Sequence, residues 1–171
     1  TRSDNLPSNE FNYGAYYVTS DGFIIFGGNR GFTMFHPFEI KENEKLSEII
    51  FTNFFIFNKE NKHSEFEDQR LNVNETGSIT LKNFQNSFTI EFASINYTSP
   101  EKALYRWKME GLEQYEDNWT ENTISRTASF TALQPGNYIF HVQASNNDGL
   151  WNTSGRSIRI IIQPPFWKTT L

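Results

Sequence analysis

Apolar residues fall at every second position through much of this chain. Within Ser87–Ser94, Phe88, Ile90 and Phe92 face one way while Thr89 and Glu91 face the other. Within Leu104–Glu110, Tyr105, Trp107 and Met109 oppose Arg106, Lys108 and Glu110. Within Asn137–Ser145, Tyr138, Phe140, Val142 and Ala144 oppose His141 and Gln143. Within Arg156–Gln163, Ile158, Ile160 and Ile162 oppose Arg159 and Gln163. A period of two marks an extended strand with one packed face, and helical periodicity is nearly absent. Residues 49–57, apolar on both faces, and the short runs 78–81 and 126–131 add further predicted strands. Residues predicted to be buried are Phe88, Phe92, Tyr105, Trp107, Tyr138, Phe140, Ile158 and Ile160.

Turn chemistry separates these runs. Asn147-Asp148-Gly149 supplies a residue tolerant of positive φ, Gln134-Pro135-Gly136-Asn137 is a Pro-Gly turn, and Ser99-Pro100-Glu101 interrupts the chain before the Tyr105 run. Seven strands at this spacing over 49–163 predict two antiparallel sheets packed face to face. Leu133-Gln134-Pro135-Gly136-Asn137-Tyr138 sharpens the expectation. In immunoglobulin-like and fibronectin-type sandwiches a tyrosine just after such a turn opens the second-last strand, and its hydroxyl bonds back to the upstream backbone. Tyr138, with Pro135 and Gly136, is predicted to form that corner.

The first forty residues read differently. Tyr13–Thr19, Phe23–Phe26 and Gly31–Phe35 are three short strands joined at Asp21-Gly22 and Gly27-Gly28-Asn29. Short strands on glycine turns are the make-up of one β-propeller blade, which buries its faces only against neighbouring blades. The expected architecture is all-β: a partial propeller blade and linker over 1–45, an Ig/fibronectin-III-like antiparallel β-sandwich over 46–165, and a tail over 166–171. The charged run Lys41–Lys45 reads as the linker, and Asn58–Gln69 as an exposed loop. Pro164-Pro165-Phe166-Trp167-Lys168 stops the last strand. Its two aromatics before a lysine suit either an anchor beside a bilayer or a rim-packed Trp with a frayed tail.

Composition narrows the function classes. The chain has 171 residues, a formal net charge of −5 and no cysteine. Thiol catalysis, disulfides and thiolate metal sites are therefore excluded. An acidic chain without a basic block is a poor nucleic-acid binder. No apolar run is long enough to span a bilayer, and no signal peptide is visible. The chain opens at Thr1 without Met and reads as an excised fragment. Phenylalanine supplies 17 residues, so packed rings are the expected core.

Catalytic constellations are not apparent. His36, His63 and His141 lie in separate predicted elements, without metal-ligand spacing. Gly27-Gly28-Asn29-Arg30-Gly31 lacks the Lys-Ser/Thr ending of a phosphate loop. Glu110, Glu113, Glu116 and Asp117 suit a solvated strand end better than a glycosidase pair. Trp119 and Trp151 flank loops, where rim packing is favoured over sugar stacking. No catalytic residue, metal or cofactor is expected.

Two stretches together resemble one family. Residues 22–40, GFIIFGGNRGFTMFHPFEI, are similar to the last repeat of the regulator-propeller type. Residues 86–167, with NSFTIEFASINYTSPEKALYRWKMEGLE, Trp119, SFTALQPGNYIFHVQASNNDGLW and IIIQPPFWKT, resemble the three-tyrosine, or Y_Y_Y, domain. The combination resembles the periplasmic sensor region of hybrid two-component regulators. Tyr105, Trp107 and Phe130 occupy family aromatic positions, with Trp107 and Phe130 where tyrosine is usual. The resemblance implies a non-catalytic module of a membrane-bound histidine-kinase sensor, in the periplasmic part of an inner-membrane protein. It implies a homodimer, an oligosaccharide ligand bound mainly by propeller domains, and a membrane next to the C-terminus. Pro164, Pro165, Phe166 and Trp167 are then expected to relay displacement into a transmembrane helix, since a proline pair is stiff. The alternative is an Ig-like module that itself binds carbohydrate or protein.

Overall fold

The structure is a computed structural model in which residues 6–57, 77–96, 99–112 and 118–165 are described. The chain divides into two compact units, residues 1–43 and 44–171. Of the sequence expectations, the Asn58–Gln69 loop, His63, Glu113, Glu116, Asp117, Phe166 and Trp167 fall outside the described residues.

The first unit is an antiparallel three-stranded meander of β1 (Phe11–Val18), β2 (Ile24–Gly28) and β3 (Gly31–Phe35). The tight β2–β3 connection pairs Gly28 with Gly31, so Asn29 and Arg30 alone form the loop. Phe26 of the middle strand lies between Phe11 and Phe35, at ring-centroid separations of 5.7 and 6.2 Å. Tyr13, Tyr16, Tyr17, Phe32 and Phe38 remain exposed. A lone three-stranded sheet has too little inward surface to bury so many rings.

The second unit is a sandwich. One sheet orders β4 (Glu48–Ile56), β6 (Phe88–Ile95) and β8 (Thr127–Phe130) as β4-β6-β8. The other orders β5 (Ser78–Leu81), β10 (Arg156–Ile162), β9 (Gly136–Ala144) and β7 (Tyr105–Glu110) as β5-β10-β9-β7. The alternation seen in sequence becomes the two inner faces: Phe88, Ile90 and Phe92 from β6 meet Tyr138, Phe140 and Val142 from β9 and Ile158, Ile160 and Ile162 from β10. All nine are at most 5% exposed. Phe140 is the hub. Its ring lies 6.2 Å from Phe51, 5.9 Å from Phe92, 5.9 Å from Trp107 and 6.1 Å from Phe130.

Three details depart from the sequence reading. First, the sandwich is not wholly antiparallel, because β5 joins β10 in a parallel ladder, Ser78 opposite Arg159 through Leu81 opposite Ile162. Alternation in Ser78–Leu81 shows which residues turn inward and carries no information on the partner strand. Second, Trp107 is half-buried rather than fully enclosed. It points inward, against Phe130 and Phe140, but β7 is the outermost strand of its sheet and leaves the ring at the rim. Third, Gln143, read as solvent-facing, is 8% exposed. It lies on the outer sheet face beneath a loop that alternation cannot see.

Each aromatic pair adds roughly 0.5–1.5 kcal/mol beyond burial of its area. Phe140→Ala, which removes the hub, is expected to lower unfolding free energy by about 3–5 kcal/mol, read from urea denaturation. An unchanged midpoint would show that the two sheets do not depend on this ring.

Candidate functional site

The aromatics singled out by the resemblance lie in the core or, for Trp107, pack against it. The Pro135-Gly136 turn brings Tyr138 back over its own approach, and its hydroxyl donates to Gln134 O at 2.8 Å. Burial pushes the phenol's pKa up, so it remains a neutral donor. Gly111, at the end of β7, sits at φ +87°, and a Cβ there would lie 2.6 Å from Asn137 O and 3.2 Å from the Tyr138 ring. Glycine is required at that point for both conformation and clearance. Tyr105 serves the other sheet: its hydroxyl lies 3.1 Å from both the Ser94 N–H and Ser94 Oγ. Phe130 packs on Phe88 at 5.5 Å and edge-on to Trp107 at 5.4 Å. Pro164 and Pro165 follow Gln163, whose N–H donates to Leu81 O at 2.9 Å. These predicted residues are spread through the sandwich and do not converge on one cleft.

The side chains that do converge lie on the outer face of β7 and β9. Arg106, Lys108 and Glu110 point outward because their neighbours Tyr105 and Met109 fill the core. The Arg106 guanidinium carbon lies 5.3 Å from the Trp119 ring and 4.6 Å from the Trp151 ring. Lys108 Nζ is 5.8 Å from the Trp119 ring. Arg106 Nε also donates to Gln143 Oε1 at 2.9 Å, and Gln143 Nε2 donates to Thr153 O at 2.6 Å. The result is a ladder of rings and cations that ties two loops to the sheet. The loop carrying Trp119 is held further by Thr120 Oγ1, which accepts from Trp107 N–H at 3.0 Å, and by the paired backbones of Tyr105 and Thr123. Gly155 allows the other loop its close approach, since a Cβ there would run into Val142 O.

Charge ends this face. Glu110 Oε1 lies 3.0 Å from both Lys108 Nζ and His141 Nε2. The Lys108 contact above all, with His141 adding to it, outweighs desolvation and holds the Glu110 carboxyl below its ordinary value. Beside it runs a groove of about 360 Å³ lined by Ser78, Ile139, Ser157, Arg159 and Ile161. Among the described residues no group of three or more His, Asp or Glu is placed to hold a metal ion. None of the described helices is long and apolar enough to cross a membrane. Chemically, this face offers hydrogen bonding and cation–π contact, and most of both is used internally.

Residues 96–163 match the model of the Y_Y_Y domain. The match covers less than half of the chain. Tyr105, Trp107, Phe130 and Tyr138, described above, all lie within the matched residues. Over 98% of its length the chain is 31% identical to "Histidine kinase P4" of Formosa agariphila, of which it spans 12%. The extracellular domain of a protein described as a hybrid two component system, BT3049 of B. thetaiotaomicron, has a similar fold. Its TM-score is 0.78 at 26% identity, over 95% of this chain and 22% of that one. The extracellular domain of BT4673 from the same organism shares the fold at TM-score 0.57 and 20% identity, over 93% of this chain and 21% of that one. The chain is thus similar, along nearly its whole length, to extracellular domains of two-component sensors.

Arg106 and Gln143 had no role in the sequence reading. The available signal was an outward arginine in register with an outward glutamine, with a tryptophan in each flanking loop.

Arg106→Lys keeps the charge but loses the planar fork, and is expected to cost about 1–2 kcal/mol in thermal or urea unfolding. Loss no greater than for Arg159→Lys would argue against the ladder. The pH dependence has a definite sign. A carboxyl depressed in the folded state contributes stability above its unfolded value of about 4.5, lost as pH falls through the folded value. Glu110→Gln should therefore destabilise at pH 7 and approach wild type in strong acid; because the carboxylate is 39% exposed, the difference is small.

Proposed function

We propose that this chain is a non-catalytic extracytoplasmic module of a membrane-bound hybrid histidine-kinase sensor, which passes ligand-driven displacement from a β-propeller to a transmembrane helix. The observation that carries this reading is the likeness of nearly the whole chain to the extracellular domain of BT3049 and to part of a histidine kinase. The first unit supports it. Its three strands leave rings exposed, as suits a propeller blade that stacks on others. The last strand supports it too, since β10 is paired on both sides and runs into Pro164-Pro165 without an intervening flexible segment.

In this reading the intact receptor is a homodimer in the inner membrane with its sandwich in the periplasm, and an oligosaccharide binds mainly to propeller domains. Ligand acts by favouring one of two dimer arrangements, and its differential affinity limits how far the equilibrium moves. Phe166 and Trp167, which follow Pro164-Pro165 in sequence, are then the residues next to the bilayer. Direct glycan binding by the sandwich is disfavoured, because Arg106 and Lys108 already engage the Trp119 and Trp151 rings.

Two measurements test this reading. Sedimentation of the chain at tens to hundreds of micromolar should show a reversible dimer; a monomer throughout would remove self-association as an intrinsic property. Calorimetry with oligosaccharides that activate the intact receptor should give no binding heat. Saturable heat abolished by Trp119→Ala would replace the relay with a carbohydrate-binding function.

A further inference from the structure

β4 is the outermost strand of its sheet. Pairing with β6 occupies one edge of β4, with Ile49 opposite Ser94 and Phe51 opposite Phe92. In an extended chain, carbonyls of alternate residues point to the same edge. Lys45, Ser47 and Ile49 form such a set, and each carbonyl accepts from a different side chain around the β9–β10 turn. Asn146 Nδ2 donates to Lys45 O at 3.2 Å, Asn152 Nδ2 to Ser47 O at 2.9 Å and Arg156 Nη1 to Ile49 O at 3.4 Å. The partners are 101, 105 and 107 residues apart in sequence. Ser47 and Asn146 are 3% and 1% exposed, so water is a poor competitor there.

The two amides have a fixed orientation. Asn146 Oδ1 accepts from the N–H groups of Asp148 and Leu150 at 3.0 and 2.9 Å, and Asn152 Oδ1 accepts from the Gly155 N–H at 3.3 Å. With each oxygen turned to its own turn, the NH₂ group faces the incoming chain. Aspartate at either position would keep the turn and set a second oxygen against a carbonyl. Asparagine is thus the residue that serves both ends. The three donors also occupy carbonyls that an unpaired edge strand would present to another chain.

We propose that Asn146, Asn152 and Arg156 are a clamp that grips residues 45–49 and couples them to the hairpin ending in β10, so that the incoming segment and the last strand move as one body. Its use in signalling rests on the relay reading above; its existence does not. Any pivot between the two units then lies before Lys45.

The test is the Asn146→Asp/Asn152→Asp double variant of this chain. Tryptic cleavage after Lys45 should accelerate by about tenfold or more over wild type while cleavage after Lys41, outside the clamp, is unchanged. Backbone amide order parameters at 46–50 should fall from about 0.85 toward 0.6, with those at 138–142 unchanged. Wild-type cleavage and order parameters in the variant would overturn the clamp. If the double variant does not fold, Arg156→Lys replaces it, with a threefold or larger acceleration after Lys45 expected and an unchanged rate overturning the proposal. These readouts use the chain alone. A receptor that does not signal through this module would sink the relay reading without touching them.

Discussion

The sandwich depends on one ring meeting four others from both sheets. Phe140 stands at the middle of β9, and Phe51, Phe92, Trp107 and Phe130 close around it. That contact requires the inner faces to be about 10 Å apart and in one register. A slip of one residue in β9 would turn Phe140, Tyr138 and Val142 to solvent and His141 into the core. The constraint propagates along the sheet. Tyr138 must fold back on Gln134, Gly111 must leave room for it, and β7 must present Arg106 and Lys108 outward. The outer face is therefore ordered by the same alternation that builds the core.

Much of this was legible in sequence because alternation is a local property. The strands over 88–95, 105–110, 136–144 and 156–162, and the tyrosine corner, follow from spacing and turn residues alone. Gln143 was misread because its burial comes from a loop lying over the outer face, which no within-strand pattern records. The partner of β5 was not legible because four alternating residues fit any neighbour. Asn146 and Asn152 flank the Asn147-Asp148-Gly149 turn and had no role in the sequence reading. Their second contacts, about a hundred residues upstream, exist only once the sheets are assembled.

Tyr105 and Tyr138, within the segment that matches the Y_Y_Y model, have a structural role here. Tyr105 uses its hydroxyl to tie β7 to Ser94 of the opposite sheet, and Tyr138 uses its hydroxyl to tighten one turn. Phe130 needs no hydroxyl because its contribution is ring packing. The proposed relay rests on how the strands connect. The incoming segment, the β9–β10 hairpin and the last strand are bonded to one another. In the relay reading, such a module acts mechanically because its two ends are fixed in relation to one another.

The parallel pairing of β5 with β10 bears on how the chain reaches this state. Ser78–Leu81 cannot complete its ladder until Arg159–Ile162 has appeared, and β9 lacks one neighbour until the same moment. Contacts so distant in sequence form late and slowly. In a chain emerging N-terminus first, β5 appears well before β7 and β9 and waits without its partner until β10 has been made. The four-stranded sheet therefore cannot close before its last strand is present.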